Sequence, residues 1–245
     1  MTHDRPRLLA CGDAALSVDF GNVISVVMND RVHALDAAVR AAGLEGVIET
    51  VPTYRALTVH FDPLVLPVER LERELVGLLD WAGDKPVTPR RWRVPVVFGG
   101  PFGVDLEENA SLAGLSPNAF IARFVAPVYR VMMIGFMPGF SYLANLPKDL
   151  ARPRRATPRA KVPGGSISIG GAQAAIGSVE GPSGWHMLGR TPALPFMPGR
   201  DPLFLFEAGD EVRFEPVLAS DWDALEATAK GGDPLVLLDS TEPLL

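Results

Sequence analysis

The sequence predicts an N-terminal α+β domain followed by a mainly-β domain, and three observations point there. Up to about Trp81, short β-like runs alternate with two amphipathic helical patterns. Residues 82–91 hold two prolines and little apolar content, as a boundary crossed by few contacts does. Beyond them Pro and Gly punctuate many short β-like runs, which favours a barrel or a sandwich. The expected domains are therefore 1–84 and 85–245.

In order along the chain, Ala15 to Phe20 and Val23 to Met28 read as strands flanking a turn at Gly21-Asn22. A helix follows, with Asp30 as its N-cap, Val32, Leu35 and Val39 at helical spacing, and a stop near Gly43. Gly46 to Thr53 and Arg55 to Phe61 are the next two strand candidates. The second helix carries Pro67 in its first turn and an apolar stripe of Val68, Leu71, Leu75, Leu78 and Leu79, with Gly83 beyond its end. In the second half, strands are predicted at Trp92 to Phe98, Tyr129 to Phe136, Ser166 to Ile169, Trp185 to Leu188 and Glu211 to Val217. Helices are predicted over Pro117 to Val125, capped by Ser116 and ended by Pro127, and over Asp221 to Ala229, stopped by Gly231.

Composition narrows the function classes. An apolar fraction of 47% and a charged fraction of 21% belong to a chain that folds. A net charge of −6 argues against broad nucleic-acid binding, which needs a basic face. No apolar run reaches membrane-spanning length and the N-terminus has no signal core, so a cytoplasmic protein without membrane attachment is expected. The single cysteine, Cys11, excludes a disulfide framework and reads as buried filler. His3, His33, His60 and His186 lack metal-ligand spacing, so no metal site is expected; His3 reads as a frayed terminus and His33 as helix surface. Phosphate-loop, serine-hydrolase elbow and zinc-protease motifs are absent.

The distinctive chemistry lies further on. Gly135-Phe136-Met137-Pro138-Gly139-Phe140 precedes Lys148, Arg152, Arg154, Arg155, Arg159 and Lys161, with Asp149 as the segment's only acid. Cations at that density in a Pro-rich stretch suit carboxylate or phosphate binding, although an isolated charge run is more often solvated surface. Val162 to Gly171 then reads as a glycine-bounded strand with Ser166 and Ser168 on one face, followed by Gln173 and by Trp185-His186-Met187-Leu188-Gly189-Arg190-Thr191-Pro192. A single histidine such as His186 is more often structural than catalytic, and Trp185 more often core than a stacking platform.

These residues, with Pro52-Thr53-Tyr54-Arg55, Phe61-Asp62-Pro63, Gly99 to Leu106, Pro153-Arg154, Pro158-Arg159 and Gly209-Asp210, resemble the family of allophanate hydrolase subunit 1, KipI and the B subunit of 5-oxoprolinase. The resemblance runs from about Gly12 to Val217. It implies that the second domain is a cyclophilin-like β-barrel. It further implies a non-autonomous subunit of an ATP-dependent amide or lactam hydrolase, with 5-oxoproline opened to glutamate as the favoured reaction. The implied partners are a homologous larger subunit, of the type of allophanate hydrolase subunit 2, KipA or the C subunit of 5-oxoprolinase, and a LamB/YcsF-like subunit. ATP would be bound by or shared with a partner.

In that reading Arg154, Arg159, Lys161, Ser166, Arg190 and Thr191 bind substrate or phosphate, while Gln173 orients the amide and His186 moves a proton. Phe124, Met132, Ser141, Ala174-Ala175-Ile176-Gly177 and Phe196-Met197 depart from the family pattern and imply an altered substrate pocket. The alternatives are a KipI-like inhibitor of a sensor histidine kinase and a subunit acting on a urea-derived amide such as allophanate.

Overall fold

The computed structural model describes residues 2–82, 89–235 and 237–238. The chain divides into two compact units, Met1–Thr88 and Pro89–Leu245. Most of the linker predicted at 82–91, and Gly83 with it, lies outside the described residues.

The first unit is an antiparallel four-stranded sheet with two helices. Its strands are β1 (Thr2–Ala10), β2 (Ala15–Gly21), β3 (Val47–Pro52) and β4 (Ala56–Phe61), in the order β1-β2-β4-β3. The helices are α1 (Val26–Ala42) and α2 (Val68–Ala82). Alternation along β2 and β4 turns Leu16, Val18, Phe20, Leu57, Val59 and Phe61 inward, where they meet Val32, Leu35 and Val39 of α1 and Leu71 and Leu75 of α2. Four expectations are corrected here. Val23 to Met28 is no strand: Ser25 is the N-cap, and Val26, Val27 and Met28 open α1, because Met28 continues the buried stripe of Val32, Leu35 and Val39. Asp30 accordingly lies within the helix rather than capping it. Cys11 is exposed in the link from β1 to β2 rather than buried, and the backbone at His3 belongs to β1.

The second unit is a barrel. Its strands are β5 (Arg91–Phe98), β6 (Tyr129–Ile134), β7 (Ser141–Ala144), β8 (Arg159–Val162), β9 (Ser166–Gly170), β10 (Gln173–Ile176), β11 (Gly181–Ser183), β12 (His186–Arg190), β13 (Glu211–Pro216) and β14 (Leu237–Leu238). The order β12-β9-β10-β7-β6-β13-β5 closes into a ring through the pairing of Gly189 and Arg190 with Phe98 and Val97. β14 pairs with the other end of β5, and β8 forms a separate ribbon with β11. The ring is antiparallel except for β13 beside β5.

Helices α3 (Leu106–Leu112), α4 (Pro117–Val125) and α5 (Trp222–Lys230) accompany the barrel. α4 starts where its sequence says it should, with the Ser116 hydroxyl accepting the Ala119 N–H at 3.2 Å. It buries Phe120 and Phe124 against the barrel core, and Phe124 stacks on Phe214 with ring centroids 5.5 Å apart. Tyr129 closes that cluster by donating its hydroxyl to Phe124 O at 2.7 Å, and burial pushes its phenol far up. The α+β unit followed by a mainly-β barrel is thus the architecture observed.

Candidate functional site

The site is built on Asp105, which sits at the N-terminus of α3 with 2% of its surface exposed. Its carboxylate accepts from Arg159 Nη1 and Nη2 at 2.7 Å each, from Arg155 Nη1 at 2.9 Å and from the Met187 N–H at 2.7 Å. Burial alone would raise its pKa. The Arg159 hydrogen bonds, the Met187 N–H and the two guanidinium charges outweigh burial and hold it below the ordinary carboxylate range.

Asp105 therefore ties down both ends of residues 155–159. The segment just before is pinned independently. His186 lies 2.9 Å from Pro153 O through Nε2 and 3.2 Å from Asn109 Nδ2 through Nδ1. A carbonyl only accepts, so Nε2 carries the proton; Asn109 Nδ2 also donates to Asp105 O at 2.7 Å, so Nδ1 is the acceptor. Both imidazole nitrogens are thereby occupied within the protein. They brace the Pro153 carbonyl, and the Arg155 N–H adds a bond to Gly184 O at 2.7 Å.

Arg154 is what this bracing presents. Among the described residues its guanidinium has no carboxylate partner, and its Cζ stands 5.7 Å from the centroid of Trp185. Trp185, Tyr142 and Phe140 pack on one another: Tyr142 meets Trp185 edge-on with centroids 6.0 Å apart, and Phe140 lies tilted against Tyr142 at 4.8 Å. Phe136 adds an outer wall. It is 67% exposed, has φ of 71° and packs edge-on against Phe140. A bulky non-glycine residue in the left-handed region is strained, and such strain concentrates at functional loops. Together these side chains line a half-open pocket of about 610 Å³ with Arg155, Pro182 and Ser183. Burial raises the Tyr142 phenol and the Arg154 charge opposes that rise, so Tyr142 stays neutral at ordinary pH.

Gly170 makes this pocket possible. A Cβ there would lie 2.6 Å from the indole of Trp185, so only glycine lets the ring lie flat on β9.

The other predicted residues are dispersed. Arg159 serves Asp105, and Lys161 pairs with Glu180 at 3.0 Å on the surface. Ser166 is buried, donating to Pro163 O at 2.6 Å, and Gln173 opens β10 opposite Gly170. Arg190 and Thr191 line a different cleft, beside Trp222. Trp185 is both core and platform, at 6% exposure with a cation over its ring. Sequence reasoning misses Asp105 and Asn109 as site residues, and it singles out Arg155 and the Phe136–Phe140 run without joining them to Tyr142 and Trp185 in one pocket. The spacing Asp105-x-x-x-Asn109 on one helix face is the available signal.

Of the departures from the family pattern, Phe124, Met132, Ser141, Ala174, Ala175 and Ile176 are fully buried; none of the departures lines this pocket, and Met197 lines the cleft beside Trp222.

Among the described residues no group of histidine, cysteine, aspartate and glutamate has metal-binding geometry, and no helix is long and apolar enough to cross a membrane.

Residues 6–206 match the family described as carboxyltransferase domain, subdomain C and D. The chain is 36% identical over 231 residues to the B subunit of 5-oxoprolinase of Bacillus subtilis, covering 90% of this chain and 96% of that protein. The crystal structure of TTHA0988 superposes with a TM-score of 0.75 at 35% identity, covering 83% of this chain and 40% of that one. Kluyveromyces lactis urea carboxylase shares the fold at 15% identity, with a TM-score of 0.78 over 98% of this chain and 25% of that chain. The chain belongs to the carboxyltransferase subdomain C and D family, in the branch that contains the 5-oxoprolinase B subunits.

Proposed function

We propose that this protein is a subunit of a 5-oxoprolinase, acting with partner subunits to open 5-oxoproline to glutamate. The observation that carries the reading is the near full-length similarity to the B subunit of the Bacillus subtilis 5-oxoprolinase. The aromatic pocket supports it chemically. 5-Oxoproline is a small, flat lactam with one carboxylate. The Arg154 guanidinium, without a carboxylate partner among the described residues, offers a bidentate seat for that carboxylate, and Trp185 and Tyr142 offer apolar walls for the ring.

Ring opening breaks the lactam C–N bond; the elements of water add as hydroxyl to the carbonyl carbon and hydrogen to nitrogen. An unactivated lactam resists this, so its carbonyl must be polarised or phosphorylated in the assembled complex. The cations named above do not gather into a triphosphate cradle. Arg159 is held by Asp105, Lys161 by Glu180, and Arg190 lies in another cleft. ATP is therefore assigned to a partner, the homologous larger subunit or a LamB/YcsF-like subunit, and this chain supplies substrate binding and orientation.

The test is glutamate release by the reconstituted complex with Arg154→Ala. Losing a charge-assisted contact predicts a fall in kcat/KM of about 10- to 150-fold, carried mainly by KM. Unchanged kcat/KM would remove Arg154 from the site.

A further inference from the structure

A second cleft, of about 600 Å³, holds two arginines that the pocket around Arg154 does not use. Its apolar walls include Pro192, Leu194, Met197 and Trp222, and it shares no lining residue with the aromatic pocket. Arg200 is only 7% exposed. Its Nε donates to Pro202 O at 3.1 Å, while Nη2 is buried with no hydrogen-bond partner. Arg190 stands over Trp222 with its Cζ 4.8 Å from the ring centroid. Its Nε and Nη2 reach Gly164 O at 3.4 and 3.3 Å, which are long contacts. Neither guanidinium has a carboxylate within ion-pair distance among the described residues. The acid in the lining, Glu226, is bound to Lys230 at 2.8 Å.

Arginine does not escape burial by losing its proton, so a guanidinium taken from water without a counter-charge is costly. Burial lowers the pKa of both groups; at Arg190 the charge of Glu226 opposes that fall without cancelling it, and at Arg200 burial alone is the cause. Two such groups in one apolar cleft form half of an ion pair. The lining also says which anion completes it. Thr191 Oγ1 already accepts from the Ala193 N–H, so the guanidiniums are the groups the lining turns to an anion. Two guanidinium forks among apolar walls suit a planar monoanion with an apolar body.

We propose that this cleft is a binding site for a small carboxylate with an apolar body, its carboxylate taken by Arg190 and Arg200 and its body packed against Trp222, Leu194 and Met197. The site stands on its own residues and does not depend on what Arg154 binds.

Benzoate is the probe, titrated calorimetrically and by thermal shift against the full chain. Saturation at a hundredfold excess over the dissociation constant raises Tm by about 5–10 °C. Arg200→Met weakens benzoate binding by at least about tenfold, and it raises the Tm of the free protein because an uncompensated charge is replaced by an apolar side chain of similar length. Should Arg200→Met fail to fold, Arg190→Gln gives the same loss of affinity. In an Arg154→Gln background, which removes the other carboxylate seat, benzoate still binds and Arg200→Met still weakens it. No binding by the unmodified protein up to about 10 mM, where even a weak site would fill, overturns the proposal. So does binding that survives both Arg200→Met and Arg190→Gln, or binding lost only in Arg154→Gln.

Discussion

Asp105 decides the geometry of the candidate site although it faces away from solvent. Four donors converge on its carboxylate, supplied by two guanidiniums and one backbone N–H. Replacing it by Ala strands both cations, a change that costs about 3–5 kcal/mol when a buried pair is broken; denaturant titration measures it. The lowered pKa fixes the sign of the pH dependence. The stabilisation is complete above the ordinary aspartate range and is lost as pH falls through the depressed folded value. Stability measured from pH 6 downward should therefore decline below about pH 4, and Asp105→Asn should flatten that part of the curve. The sequence displays the cation-rich segment plainly but not the allocation of its charges. Arg159 and Arg154 look alike in the sequence. They differ because a carboxylate 54 residues earlier meets Arg159 and, among the described residues, none meets Arg154. His186 is the complementary case, since its chemistry was legible and its neighbours were not. With both nitrogens bonded, His186→Ala should disturb the placement of Arg154, raising KM several-fold and leaving the pH profile of kcat unshifted, whereas loss of a proton carrier would remove a limb of that profile.

At the scale of elements, local signals succeeded where caps and periodicity are strong. α4 was legible to the residue because Ser116, Pro117 and the buried stripe of Phe120 and Phe124 agree. Ser116→Ala should cost about 1 kcal/mol in a chemical denaturation curve, the usual value for losing such a cap. Signals failed where pairing is long-range or strands are very short. β1 begins with Thr-His-Asp-Arg-Pro, which shows no alternation, and is a strand because β2 pairs with it. β8, β10 and β11 have three or four residues each, too few for any period to show. Val23 to Met28 misled because β-branched side chains favour strands, while burial of the Met28 face selects helix. Between β9 and β12 the limiting contact is Gly170 against Trp185. Gly170→Ala should push the indole off the sheet and destabilise by about 1–3 kcal/mol, with a visible change in near-UV circular dichroism.

At the scale of the whole molecule, the division into an α+β unit and a mainly-β barrel follows from where apolar stripes and turns lie, and so was legible early. The dispersal of the candidate residues was not, because barrel closure decides which loops meet. The barrel places Arg154 in an aromatic pocket and Arg190 with Arg200 in a separate apolar cleft. The proposed activity is expected only from an assembly, because the similar Bacillus subtilis protein is named as one subunit of a 5-oxoprolinase. The most direct measurement is ATP- and 5-oxoproline-dependent glutamate release from this protein mixed with purified larger and LamB/YcsF-like subunits, each omitted in turn. Release should require this chain, and kcat/KM for 5-oxoproline should fall about 10- to 150-fold with Arg154→Ala. Full release from the partners without this chain would contradict that requirement.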